Sequence, residues 1–337
     1  QDKPFPDDIF TAPELRWAVI GCGIIANQMA QSFALAGRKL AGVANRTLSK
    51  AQVFAEQYGI EKVYETVEDL YADPDIDAVY ITTPHNTHIT YLRAALAAGK
   101  HVLCEKAITL NSAELDEARA IADEHNVVLM DATTVLHMPL YQELRRRMDA
   151  GEFGRMNLAQ LNFGSYKEYG DLTNRFYNRS LAGGAMLDIG VYALSVMRLF
   201  MASQPGEVVS LGNTCETGVD VAGGIVCRNA EQQLGVVSLT LHSKQPKRSV
   251  ISFDKCYIEV NEYPRADHAT IVWTADGHRE EVHAGTEAYA LCYEMADLEK
   301  AVAGDDSKRE LLDYASDVME LMTKLRADWG VVYPEEE

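Results

Sequence analysis

Three side chains in this sequence have the types and spacing to move a proton: Asp188 and Tyr192, four residues apart, and Lys106. On a helix an i, i+4 pair shares one face. The Asp188 carboxylate then stands beside the Tyr192 phenol, amid Ala185, Leu187, Ile189 and Val191. A phenol titrates at ~10, so it exchanges protons near neutrality only when a nearby cation or its surroundings lower that value. Lysine is such a cation, and its own pKa moves readily on burial. A second reading stays open for each. Asp188 lies near a helix start, where the dipole favours a carboxylate and a satisfied polar couple needs no reaction. Lys106 also fits an ordinary ion pair.

Such residues are useful only where elements hold them. The best-marked element is Gly21-Cys22-Gly23-Ile24-Ile25-Ala26, which follows an apolar run (15–20) and opens a helical pattern (24–36). A strand, a glycine turn and a helix are the setting in which G-x-G-x-x-G/A binds a dinucleotide. The first glycine permits the turn, the second lets a pyrophosphate reach the backbone, and small Ala26 lets helix and strand pack. Bare helix amides then hold the phosphates, with Cys22, Ile24 and Ile25 lining the turn. A second strand (40–44) ends at Asn45-Arg46-Thr47. An acid there would bind a ribose diol; Arg46 instead suits a 2′-phosphate. This favours NADP. NAD stays open, because an exposed Arg46, or one stacked on adenine, accepts either.

A fourth strand (78–82) runs into Thr82-Thr83-Pro84-His85-Asn86-Thr87-His88, and a fifth (101–104) into Glu105-Lys106. Ligands of a doubly wound sheet lie outside the carboxyl ends of its strands. That places Thr82, Thr83, Pro84, Asn86, His88, Glu105 and Lys106 at the cofactor. His85 and His88 have no Cys, Asp or Glu beside them to complete a metal site, so no metal is expected.

The rest of the chain divides by its grammar. Residues 1–14, with Pro4, Pro6 and Pro13, read as an extended lead-in. Strands and helices alternate over 15–133, with Thr47 expected to cap a helix closed by Gly59, and Thr66-x-x-Asp69 to start another. From 134 to 337 strands dominate: Ala159, Leu161 and Phe163 alternate with polar neighbours, as do Val237, Leu239 and Leu241, and Asp276-Gly277 signals a hairpin. Two helices follow, one striped by Leu291, Met295, Leu298 and Val302, the other begun by a Ser307-x-x-Glu310 capping box. The acidic tail Glu335–Glu337 is expected to be a solvated end. The predicted fold class is α/β: a doubly wound Rossmann domain (15–133), then a substrate-binding and oligomerisation α/β domain (134–337) with a large open, mostly antiparallel sheet. An open sheet needs a cover, so a homodimer or higher homo-oligomer is expected.

Composition narrows the partners. The 337 residues carry a formal charge of −19, which argues against nucleic acid and against anionic membrane surfaces. The six cysteines form no C-x-x-C pair, as expected of thiols in a reducing, cytoplasmic setting. The sequence shows no secretory signal pattern and no apolar run of the ~18 residues a membrane span needs.

Taken in order, GCGIIA at 21–26, TPHNTH at 83–88, AALAAGKHVLCEKA at 94–107 and LAGGAMLDIGVY at 181–192 resemble the glucose-fructose oxidoreductase / inositol dehydrogenase / MocA family. Tyr192, where many sugar dehydrogenases of the family carry His, and ARAIADEHNVVLMDAT at 118–133 resemble its NADP-linked dihydrodiol dehydrogenase branch. The resemblance implies hydride transfer between NADP(H) and a sugar, polyol or cyclic diol. It also implies Lys106, Asp188 and Tyr192 as catalytic residues and Arg175 as an arginine near the cofactor. One position departs: the family's Glu-Lys-Pro is Glu105-Lys106-Ala107 here, and Ala lacks proline's fixed φ and its tolerance of a cis bond. That departure supports an alternative, a non-catalytic NADP-binding sensor or scaffold.

Overall fold

The computed structural model describes residues 4–337; residues 1–3 of the expected lead-in lie outside the described residues. The chain forms two compact units. One comprises Gln1–Thr109, Ala113–Ala132 and Ala288–Asp313, the other Leu110–Ser112, Thr133–Glu287 and Tyr314–Glu337.

In the first unit, strands β1 (Trp17–Ile20), β2 (Gly42–Ala44), β3 (Lys62–Tyr64), β4 (Ala78–Ile81), β5 (His101–Cys104) and β6 (Leu129–Asp131) form a parallel sheet ordered β3-β2-β1-β4-β5-β6. Its central strands are buried on both faces and therefore run apolar without alternation, as in Trp-Ala-Val-Ile of β1. Strand order reverses between β1 and β4, the place where such sheets leave a crevice for ligands. Helix α1 (Ile24–Leu35) leaves β1, and α2 (Leu48–Tyr58) leaves β2. Gly59 closes α2 with φ 66°, as expected, but Thr47 makes no side-chain cap. Thr66 does cap, accepting from the Asp69 amide at 3.1 Å, and so starts α3 (Val67–Ala72). Helices α4 (His88–Ala97) and α5 (Ser112–Glu124) follow the same alternation.

The expected division at 133/134 leaves out a late return. The stripe Leu291, Met295, Leu298 and Ala301 of the helix Ala290–Val302 joins the same buried cluster as Trp17, Val19 and Phe33. Glu299 of that helix, wholly buried, accepts from the Leu15 amide at 2.9 Å, the Trp17 indole at 3.1 Å and the two terminal Arg38 guanidinium nitrogens at 2.6 and 3.0 Å. A carboxylate met by four donors, two of them charged, survives burial where an isolated one would not.

The second unit is built on an eight-stranded sheet. Its strands are β7 (Met156–Gly164), β8 (Glu207–Thr214), β9 (Asp220–Arg228), β10 (Leu234–Thr240), β11 (Gln245–Phe253), β12 (Cys256–Asn261), β13 (His268–Trp273) and β14 (Arg279–His283), ordered β14-β13-β12-β11-β7-β10-β9-β8. Only the β7/β10 pair is parallel. Register puts Leu161 beside Val237 and Phe163 beside Leu239, so the alternating apolar positions form one buried face. Gly277, φ 73°, turns the β13/β14 hairpin. Helix α6 (Pro139–Asp149) and helix α7 (Val191–Phe200) belong to this unit, and Gly235 of β10 leaves room for Met197 of α7. The stretch Arg179–Phe200 is long and apolar enough to suit a membrane, but 78% of its most apolar window is buried in the protein, as in a core helix.

Two expectations near the chain's end are corrected. Asp305, not Ser307, caps the short helix Asp306–Arg309, accepting from the Ser307 amide at 3.0 Å. The acidic tail is not simply solvated: Glu336 takes two hydrogen bonds from the buried Arg326 guanidinium, at 2.7 and 3.0 Å.

Candidate functional site

The glycine turn between β1 and α1 is set by two requirements. Gly21 has φ +101°, and a Cβ there would lie 2.4 Å from Thr82 Oγ1, so the fold itself demands glycine. Thr82 in turn donates to the Ile20 carbonyl at 2.9 Å, tying the β4 exit to the turn. Gly23 differs: its φ of −80° is open to any residue, and a Cβ there would meet no protein atom within 4 Å. Nothing inside the chain calls for glycine at 23, and the space beside it is open to a group such as a phosphate. Gly23 offers α1 no side-chain cap, so the first amides of a twelve-residue helix remain for an anion.

The carbonyls of the turn are engaged. Asn27 Nδ2 donates to Gly23 O at 2.8 Å and Cys22 O at 3.3 Å, while Tyr58 donates to Asn27 Oδ1 at 2.6 Å. Asn27 carries no motif that would single it out in the sequence. Burial pushes the Cys22 thiol up to about 11, against the pull of Lys50, so no thiolate competes with a phosphate. Ile24 is exposed at the helix start, Ile25 half-buried. At the end of β2, Arg46 is exposed and Asn45 donates to Thr47 O at 3.0 Å. These residues fit a dinucleotide.

At the β4 exit, Thr83 and Asn86 are half-buried and Pro84 exposed. His88 corrects the expectation of a cofactor contact. It is wholly buried, with Nδ1 2.8 Å from Ala107 O and 3.1 Å from Ile108 O, and Nε2 2.7 Å from Thr83 O. Burial lowers its pKa, with the three carbonyls pulling the other way. An imidazole so engaged ties the β4 exit to the turn after β5 and has no face left for a ligand.

That turn carries Glu105 and Lys106, and the Lys106–Ala107 peptide bond is cis. Tyr80 donates to the Glu105 carboxylate. Burial raises Glu105 above the usual carboxylate range and Asp131 adds to this, while the Tyr80 bond and the charge of Lys106 pull it down.

In the second unit, Asp188 and Tyr192 do not lie on one uniform α-helix. Asp188 sits in a π-helical turn, Met186–Gly190, and Tyr192 in the first turn of α7. Turns of this wider kind concentrate at functional sites. The Asp188 side chain is largely buried, and Arg175 Nη2 stands 3.8 Å from its Oδ1. The Tyr192 ring stacks on Phe163 with centroids 5.9 Å apart. Beneath the turn lies a residue that no motif marks in the sequence. Asp220, the first residue of β9, is fully buried and accepts from the Met186 amide at 2.6 Å. Burial pushes its carboxyl up to about 6, against that hydrogen bond and the charge of Arg326. Gly184, φ +122°, is required here, since a Cβ would sit 2.3 Å from Asp220 Oδ1.

A parallel sheet with an open glycine turn at its switch point, followed by a unit built on a large open sheet, is an arrangement of two α/β units suited to a dinucleotide. Comparison with known proteins narrows this. Residues 15–133 match the oxidoreductase family with an NAD-binding Rossmann fold, and residues 141–259 match the GFO/IDH/MocA C-terminal domain. The chain belongs to the Gfo/Idh/MocA family of NAD-binding oxidoreductases. It is 31% identical over 251 residues to trans-1,2-dihydrobenzene-1,2-diol dehydrogenase of Xenopus tropicalis, covering 73% of this chain and 74% of that one. The enzyme of the same name from Sus scrofa is 28% identical over 340 residues, covering 96% and 99%. Among solved structures, a 3-ketoreductase from Actinomadura kijaniata in complex with NADP and TDP-benzene superposes with a TM-score of 0.79 at 25% identity, covering 94% and 98%. Levoglucosan dehydrogenase in complex with NADH and levoglucosan shares the fold, with a TM-score of 0.80 at 20% identity over 92% and 97%.

Proposed function

We propose that this NAD(P)-dependent oxidoreductase uses NADP(H) and acts on a carbinol or carbonyl carbon of a cyclic diol, polyol or sugar. The observation that carries the cofactor is the space at Gly23, which no protein atom fills. Arg46, in place of an acid after β2, supports NADP over NAD. The relatives named as dihydrodiol dehydrogenases support a cyclic diol, and they favour catalysis over the sensor reading.

The dinucleotide would be held by the turn 21–25, by Asn45 and Arg46, and by Thr82, Thr83, Pro84 and Asn86. When bound, its nicotinamide accepts a hydride from the substrate carbon or returns one. The chain's own task is then the proton. Tyr192 takes the hydroxyl proton in oxidation and gives it back in reduction, its ring kept in place by the stack on Phe163. Lys106 is assigned as the cation that makes the phenolate accessible. Asp188, with Arg175 beside it, orients the substrate hydroxyl.

The open edge of the second sheet supports a homo-oligomer: on its edge strand β8, Val209 is 75% exposed and Leu211 84%. A cytoplasmic setting accords with the unpaired cysteines. The test is Tyr192→Phe, assayed at 340 nm on a panel of diols, inositols and aldoses. It should lose ~10²-fold or more of kcat while NADPH affinity stays at the wild-type level. Unchanged turnover would remove Tyr192 from the chemistry.

A further inference from the structure

The polar network at the end of the chain leads to the turn that carries Asp188. Arg326 is buried, and its guanidinium lies 4.6 Å from the Tyr333 ring centroid. It donates to Val331 O at 3.1 Å, Leu110 O at 2.6 Å and Glu336 at 2.7 and 3.0 Å. Glu336 also accepts from Asn111 at 3.0 Å and from the Tyr333 amide at 3.0 Å. The Arg326 ring contact and the Glu336 bond to its amide hold Tyr333, which is itself fully buried. Its hydroxyl donates to a single acceptor, the Gly183 carbonyl, at 2.5 Å.

Gly183 lies three residues before Met186, the first residue of the π-helical turn Met186–Gly190. The Met186 amide is held by Asp220 at 2.6 Å. The entry to the turn is thus gripped at two points, three residues apart: by a phenol donating to the Gly183 carbonyl and a carboxylate accepting from the Met186 amide. Such a grip has a physical purpose. A π-helical turn is rare and holds itself less well than an α-helix, and here the bond from the Asp188 amide to Gly184 O is stretched to 3.4 Å. Its geometry therefore has to be imposed by neighbours. Burial and the nearby Asp220 carboxyl keep Tyr333 well above the ordinary phenol range, so the donor persists across the working pH.

We infer that Tyr333, fixed by Arg326 and Glu336, is a positioning residue for the turn 183–190, and that with Asp220 it sets where Asp188 and Tyr192 are presented. The catalytic consequence rests on the function proposed above; the grip on the turn does not.

The test separates the two. Tyr333→Phe keeps the ring under Arg326 and removes one hydrogen bond. Hydrogen–deuterium exchange, followed by peptide in the full-length chain, should quicken at amides 184–192 and stay unchanged in the peptides of β7 and β11. With any member of the substrate panel that turns over, kcat should fall about tenfold while the KM for NADPH holds. Unchanged exchange at 184–192, a uniform rise across the whole unit, or local quickening with kcat unaltered each overturns the inference. Should Tyr333→Phe fail to fold, Glu336→Gln is read by the same measures. If the wild type reduces or oxidises nothing in the panel, the proposed function is what fails, and local exchange still decides the grip.

Discussion

Two glycine turns in this molecule look alike in sequence and do opposite things. Gly21-Cys22-Gly23 and Gly183-Gly184 each lead a chain into a helix. At the first, the second glycine is open to solvent and has no protein atom in reach of a Cβ. At the second, Gly184 is pressed against Asp220, whose carboxylate takes the Met186 amide. A helix start wants an anion. The first turn leaves that place to a ligand, and the second fills it with a carboxylate of its own. An exposed helix start is free to take a ligand, whereas an internally satisfied one is a mount for the residues that follow.

The strongest way to break this contrast is at the second turn. Gly184→Ala must place a Cβ at φ +122° and 2.3 Å from Asp220 Oδ1. Backbone strain and the displaced carboxylate together should cost about 3 kcal/mol, seen as a clear fall in the denaturant midpoint. A stable Gly184→Ala would mean the turn is not gripped as described.

The internal anion also has a signature in pH. Asp220 titrates at about 6 in the folded chain, above the ~3.9 of an unfolded aspartate. The native state holds that proton more tightly, so the stability it confers is complete below pH ~4 and is lost as pH rises to about 6. The change is on the order of 3 kcal/mol. Asp220→Asn removes the titration. Its stability relative to wild type, from urea melts at successive pH values, should therefore improve across that window. A difference independent of pH would show that Asp220 is not a strained internal anion.

The sequence carried the outline of the first turn, because its strand, glycines and helix are contiguous, but not Thr82 pressing on Gly21 or Asn27 holding the turn's carbonyls. The strand alternation of the second unit was legible for the same reason. What stayed hidden is long-range. Glu299 meets Leu15 across 284 residues, Asp220 meets Met186 across 34, and Tyr333 meets Gly183 across 150. A lone acid on a helix or at a strand start has no periodicity to announce its partner. The acidic tail misled because charge at a chain end usually means solvent, whereas Glu336 finds a buried guanidinium. His88 misled in another way: its position after β4 is right for a cofactor, but its ring turns inward to three carbonyls.

The most direct test is a calorimetric titration of NADPH into wild type and Gly23→Val. The backbone at 23 admits valine and no protein atom opposes it, so the variant should melt within about 0.5 kcal/mol of wild type. It should also bind NADPH at least a hundredfold more weakly. Equal affinity in the two proteins would show that the dinucleotide does not lie along this turn.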